Sequence, residues 1–158
     1  HIQSLAHSAE PDKEAERLIS NYCARAGVTL IHQEGDKAFY RPSNDTIVLP
    51  MMSQFAETAE YYSTAFHEMV HSTGHSSRLN RLTQTAHFGN EEYSKEELVA
   101  EIGASALVNH AGLETEKSFR NSTAYVQSWL NVLKNNKRFI VSASGKAEKA
   151  VELILAGA

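Results

Sequence analysis

Hydrophobic positions recur along this chain with two different periods, and the switches between them divide it into elements. Ala15, Leu18, Ile19, Tyr22, Cys23 and Ala26 keep the spacing of one helix face. Pro11 and Asp12 open that helix, and Gly27 closes it. Residues 28–32, 38–41 and 46–49 are short runs rich in β-branched and aromatic side chains, separated by Gly35-Asp36 and by Pro42-Ser43-Asn44-Asp45. They predict a small, mostly antiparallel sheet, and 46–49, bounded by a turn and by Pro50, is expected at its edge. No proline follows Pro50, and the helical period returns. Phe55, Ala59, Tyr62, Phe66, Met69 and Thr73 form one stripe of a long helix ending at Gly74, a residue suited to the position after a helix. Residues 75–93 show no clear period, and an irregular connection of that length is often functional. A second helix is expected from near Ser94 to about Gly112. Tyr125, Val126, Trp129, Leu130 and Leu133 mark a third, and Ile140, Ala147, Val151 and Ile154 a fourth with Gly145 inside it. The fold class is therefore α+β, a small sheet packed on a long helix and followed by a helical C-terminal part.

Length and composition narrow this to one domain. The 158 residues are 42% hydrophobic and 22% charged, enough for a single self-sufficient core. Residues 1–10 are polar and unpatterned and read as a leader or remnant, leaving 11–158 as the domain. A net charge of −4 without a block of Lys and Arg argues against direct nucleic-acid binding and against anionic lipid. With no apolar run near the roughly 18 residues of a membrane span, and no secretion signal, the chain is expected to be soluble. The single cysteine, Cys23, cannot pair internally, which suits a reducing cytoplasm, and its place on an apolar helix face makes it a packing thiol.

The long helix carries His67-Glu68-Met69-Val70-His71. Imidazoles four residues apart project from one helix face and can reach a single zinc ion, while the adjacent Glu68 is placed to take a proton from water there. A catalytic zinc needs a third protein ligand. Glu97 and Glu101 share the stripe of Ala104 and Val108, and carboxylates on a packing face require a cation. The simplest assignment makes Glu97 the ligand and gives Glu101 a hydrogen bond to the far nitrogen of a metal-binding histidine. The alternative is a capping box in Ser94-Lys95-Glu96-Glu97, with Glu97 folded back on the helix start. His75 is a rival, but the longer pattern HExxHxxGxxH needs its last histidine where Ser77 stands. His1, His7, His32, His87 and His110 lack comparable spacing. Tyr93, near the start of the Glu97 helix, is a candidate oxyanion donor or a packing residue. Trp129 and Tyr125 are read as core first and pocket second.

Taken together, these segments resemble a known family. Residues 39–47 (FYRPSNDTI), Tyr61-Tyr62-Ser63-Thr64, the run from His67 to His75, Ser77-Arg78-Leu79-Asn80-Arg81, Phe88-Gly89, Tyr93, residues 96–104 (EELVAEIGA) and 124–130 (AYVQSWL) are similar to the zincin-like metallopeptidase domain of ArdC-type antirestriction proteins. The resemblance implies a plasmid- or phage-borne protein of the bacterial cytoplasm, linked to conjugation, acting on a protein or peptide. It also implies a single-stranded-DNA-binding domain ahead of the peptidase domain in the full form. Its E-x-x-x-[DNE] pattern falls on Glu97 and Glu101, with the first acid as ligand. An edge strand in 46–49 would then flank the cleft and accept a peptide as a further strand. The chain departs from the family at Asn121-Ser122-Thr123, where a histidine commonly precedes Ala124.

Three functions compete on this sequence. The leading one is a zinc endopeptidase, with Glu68 carrying the proton from water to the leaving amine. The second is a metal-stabilised binding module that protects incoming DNA by blocking a restriction complex without hydrolysis. The third, a purely structural zinc domain, would draw on four Cys or His ligands, and only one Cys is present.

Overall fold

The computed structural model describes residues 10–82 and 90–157. Asp12 accepts a hydrogen bond from the Ala15 N–H and starts α1 (Lys13–Ala26), which buries Ala15, Leu18, Ile19 and Tyr22. Gly27 ends it in the left-handed conformation (φ 76°), donating its N–H to the Cys23 carbonyl. Three strands follow, β1 (Thr29–Gln33), β2 (Phe39–Arg41) and β3 (Thr46–Pro50).

The sheet order is β1-β3-β2. β3 pairs in parallel with β1, from Thr29↔Thr46 to Gln33↔Pro50, and antiparallel with β2, from Phe39↔Val48 to Arg41↔Thr46. This overturns the expectation that 46–49 forms an edge, and it makes the sheet mixed, with its longer pairing parallel. The physical reason is visible in the strand itself. All five residues of β3 are buried, and Ile47-Val48-Leu49 is an unbroken apolar run of the kind a strand covered on both faces requires. β1 and β2 are the edges.

A 3₁₀ turn (Met52–Gln54) leads to α2 (Thr58–Thr73), the helix that holds the site. Phe55 precedes α2 instead of belonging to it and packs edge-on against Tyr61, with ring centroids 5.4 Å apart. Gly74 ends α2 in a right-handed conformation, so its lack of a side chain serves close packing. A Cβ there would stand 3.0 Å from the Leu82 Cγ and 3.1 Å from the Arg81 guanidinium.

α3 (Glu91–His110) begins three residues earlier than the sequence suggested, because Asn90 accepts from the Tyr93 N–H and takes the cap. Ser94 is buried inside the helix with its hydroxyl turned back to the Asn90 carbonyl, which removes the capping-box reading of Glu97. α4 (Glu116–Val132) starts at a Thr115/Ser118 capping box, and α5 (Lys137–Leu155) at Asn136. α2 packs against α3, α5, β2 and β3, and α3 packs in turn on α4 and α5. Tyr62, Phe66, Met69, Leu98, Leu107 and Ile154 are fully buried where these elements meet. α4 lies outermost. Its Tyr125 is 58% exposed, contrary to the core role expected of it, whereas Trp129 packs against the core. Among the described residues no helix is long and apolar enough to cross a membrane.

Candidate metal centre

One turn of α2 separates His67 from His71, and their Nε2 atoms stand 3.1 Å apart. From α3, Glu97 reaches between them, with one carboxylate oxygen 3.2 Å from the His67 Nε2 and the other 2.8 Å from the His71 Nε2. The far side of each ring is held as well. The His67 Nδ1 lies 3.2 Å from a Glu101 oxygen, and the His71 Nδ1 lies 2.9 Å from a Glu96 oxygen. A carboxylate only accepts, so each Nδ1 carries the proton it donates, and the lone pair of the neutral ring is at Nε2. These side chains are only 12–15% exposed.

Glu96 was not anticipated. Arg81 grips it with a two-pronged ion pair, Nε to Oε1 at 3.0 Å and Nη2 to Oε2 at 2.9 Å, while also donating to the Val70 carbonyl and the Thr73 hydroxyl at the end of α2. The available signal was the pair of adjacent acids Glu96-Glu97 together with an arginine soon after the HExxH helix. Face periodicity singled out Glu97 and Glu101 and passed over Glu96.

The electrostatics are those of a cation site. Burial works against a charged His67 ring, but hydrogen bonds to Glu101 and Glu97 outweigh it and lift the pKa to about 9. His71 is likewise raised well above the ordinary range by Glu96 and Glu97, again against burial. Burial also opposes ionisation of Glu97 and Glu96, yet both stay below the ordinary carboxylate range, Glu97 through the two histidines and Glu96 through His71 and Arg81. Glu68 behaves oppositely. It is buried, and burial raises its proton affinity, with the charges of His71 and His67 pulling the other way.

Do these donors fit a metal? Two imidazole nitrogens and one carboxylate oxygen lie within 4.8 Å of one another, a set that could hold an ion. Tetrahedral ligands about 2.0–2.1 Å from zinc stand roughly 3.3 Å apart, and the observed separations are 2.8–3.2 Å. Two Nε2 lone pairs 3.1 Å apart repel unless a positive species lies between them, and a metal ion would supply it. The residues fit. His75 is elsewhere, with its Nδ1 2.8 Å from the Ser77 hydroxyl, and the His32 Nε2 lies 2.6 Å from the Tyr61 hydroxyl. His1, His7, His87 and Phe88-Gly89 lie outside the described residues.

A cleft of about 670 Å³ opens beside His67, Glu68, His71 and Glu97. Phe39 and Tyr40 of β2 form one wall, so the edge strand beside the site is β2 and not β3. Tyr93 lines another wall, its ring set edge-on against Trp129 at 5.8 Å, and burial raises its pKa, helped by Glu97 and Glu68.

Comparison with known proteins agrees with this geometry. Residues 13–146 match the model of the zincin-like metallopeptidase family. Two Escherichia coli proteins named DNA primase TraC are 43% and 45% identical over 132 and 134 residues, 83% and 84% of this chain but only 9% and 12% of their own length. An uncharacterised protein of Sinorhizobium fredii is 31% identical over 88% of the chain and 45% of its own. Among solved structures, the Mn(II)-bound antirestriction protein ArdC from plasmid R388 superposes with a TM-score of 0.75 at 35% identity, covering 94% of this chain and 53% of ArdC. Its metal-free form gives 0.70 at 36%. The chain thus spans about half of ArdC and about a tenth of the TraC proteins.

Proposed function

Because the chain belongs to the zincin-like metallopeptidase family, we propose that residues 11–158 are a zinc-dependent peptidase domain. In this reading His67, His71 and Glu97 hold the metal, and Glu68 handles the proton of the attacking water. The observation that carries it is the convergence of three donor atoms beside a buried glutamate of raised proton affinity, all lining one cleft. The donor set of two imidazoles and one carboxylate suits zinc, and the Mn(II) in ArdC supports a divalent ion. When bound, zinc would supply Lewis-acid chemistry, polarising the scissile carbonyl and acidifying water.

The protein's own groups do the rest. Glu101 and Glu96 hold the two Nδ1–H groups and so aim both Nε2 atoms inward, and Arg81 keeps Glu96 in place. The Glu68 carboxylate takes a proton from water and returns it to the leaving amine, a task that a raised pKa suits. Tyr93, braced by Trp129, donates its phenolic hydrogen to the oxyanion. The free edge of β2 aligns the backbone of a protein or peptide substrate. Single-stranded DNA would be contacted by a part of the protein outside this domain, in the bacterial cytoplasm.

A second reading, a metal-stabilised module that blocks a restriction complex without hydrolysis, draws support from the names of the relatives, which specify antirestriction or primase. Glu68→Gln separates the two. The amide keeps the shape and the metal but cannot accept a proton, so hydrolysis of a peptide library by the zinc-loaded protein should disappear. Near-normal cleavage by Glu68→Gln would eliminate Glu68 as the base, and full antirestriction by that variant would favour the binding module.

A further inference from the structure

The cleft carries charges of both signs. Carboxylates surround the histidines, and a stripe of α5 also lines the cavity. Arg138, Ser142 and Lys146 follow the i, i+4, i+8 spacing that puts side chains on one helix face, and all three line the cavity together with Phe139 and Ala143. The other cations of the cleft are engaged. Arg81 is paired with Glu96, and Lys95 with Glu91 and Glu92 while lying 4.5 Å from the Phe139 ring centroid. Arg138 and Lys146 have no ion pair among the described residues, and the first turn of α5, which holds Arg138, contains no acid.

A solvated helix face is the ordinary setting for such cations. Here they instead flank an apolar patch inside the cavity that reaches the candidate metal ligands, in a chain of net charge −4. Eight residues of helix place them about 12 Å apart at 1.5 Å per residue, too far for one carboxylate to bridge. An extended peptide advances about 3.3 Å per residue, so two acidic groups three or four positions apart would match them.

We propose that the α5 wall selects an acidic peptide segment, with Arg138 and Lys146 as the specificity-determining residues and Phe139 as the apolar contact between them. This rests on the peptidase reading for the identity of the cleft. A peptide with two separated acids fits better than a nucleic-acid strand because a continuous run of phosphates would also meet Glu68 and Glu97, which line the same cavity.

The test uses zinc-loaded Glu68→Gln protein, which binds without cutting, and fluorescent peptides that differ only in Glu or Gln at two positions three or four apart. At low salt the acidic peptide should bind about 2–30-fold tighter, the combined effect of two exposed ion pairs. The advantage should shrink as salt is raised and reverse toward Lys peptides when Arg138→Glu and Lys146→Glu are added. In otherwise wild-type protein, the ratio of kcat/KM for acidic over neutral peptides should follow the same order. Equal binding of both peptides, a preference that survives the double charge reversal, or stronger competition from a single-stranded oligonucleotide of matched charge would each overturn the proposal. Cleavage without acidic preference would sink this inference and leave the peptidase reading standing. Acidic preference in binding with no cleavage by wild type would do the opposite.

Discussion

Gly103→Ala tests how closely the two helices of the site are pressed together. A Cβ at position 103 of α3 would stand 2.8 Å from the Val70 Cγ2 and 3.2 Å from its Cγ1, whereas carbon atoms rest at about 3.5–4.0 Å. Val70 cannot move aside, since it is fully buried and a β-branched side chain in a helix has essentially one rotamer. The helices must separate instead. Overpacking of this kind costs about 1–3 kcal/mol, and the better helix propensity of Ala returns about 0.5–1 kcal/mol. The net loss is then about 0–2.5 kcal/mol, a fall in Tm of up to roughly 10 °C for a domain of this size. Val70 lies between His67 and His71, so the separation also draws Glu97 from the two Nε2 atoms, and zinc affinity should fall with stability. Urea and thermal denaturation of the metal-free protein, with zinc titration alongside, measure both effects. In a Val70→Ala background the added methyl has room, and Gly103→Ala should become neutral or stabilising, a coupling of about 0.5–3 kcal/mol. A Gly103→Ala protein that melts above the parent, or an equal penalty in both backgrounds, would refute the reasoning.

The three α3 acids that reach the histidines should separate in metal titrations. Glu97→Gln should weaken zinc binding most, because a neutral amide replaces an anionic ligand, while Glu101→Gln and Glu96→Gln should each cost about 10–100-fold by releasing one histidine from its orientation. A larger loss at Glu101 than at Glu97 would reverse the assignment. Cys23, whose thiol is pushed by burial from 9.0 to about 11, should be ionised about 100-fold less than an ordinary thiol at pH 8 and below and be alkylated correspondingly slowly. Iodoacetamide labelling of the native protein at pH 8, compared with a free thiol peptide, checks this, and equal rates would contradict it.

Local signals made most elements legible. The α1 face, its Asp12 cap and its Gly27 stop lie within one stretch of sequence, and the HExxH spacing needs only helix geometry to bring two imidazoles together. What the sequence obscured was decided at longer range. Nothing within 46–49 shows that β1 returns in parallel on one side of it while β2 occupies the other, although the unbroken apolar run could have suggested burial. Two good caps, Asn90 and Ser94, stand four residues apart, and the Asn90 side chain takes the orphan Tyr93 N–H first. Glu96 owes its place to an arginine 15 positions earlier in the chain, a pairing no helical period can reveal. Tyr125 follows the spacing of its helix, yet α4 packs outermost and leaves that position in solvent.

Anomalous scattering at the zinc absorption edge, from crystals of the zinc-loaded domain, tests the central claim most directly. The account predicts a single peak about 2.0–2.2 Å from the His67 Nε2, the His71 Nε2 and one Glu97 oxygen, with Glu101 and Glu96 still on the two Nδ1 atoms. A peak ligated by Glu101 or His75 in place of Glu97, or no peak between the two histidines, would contradict it.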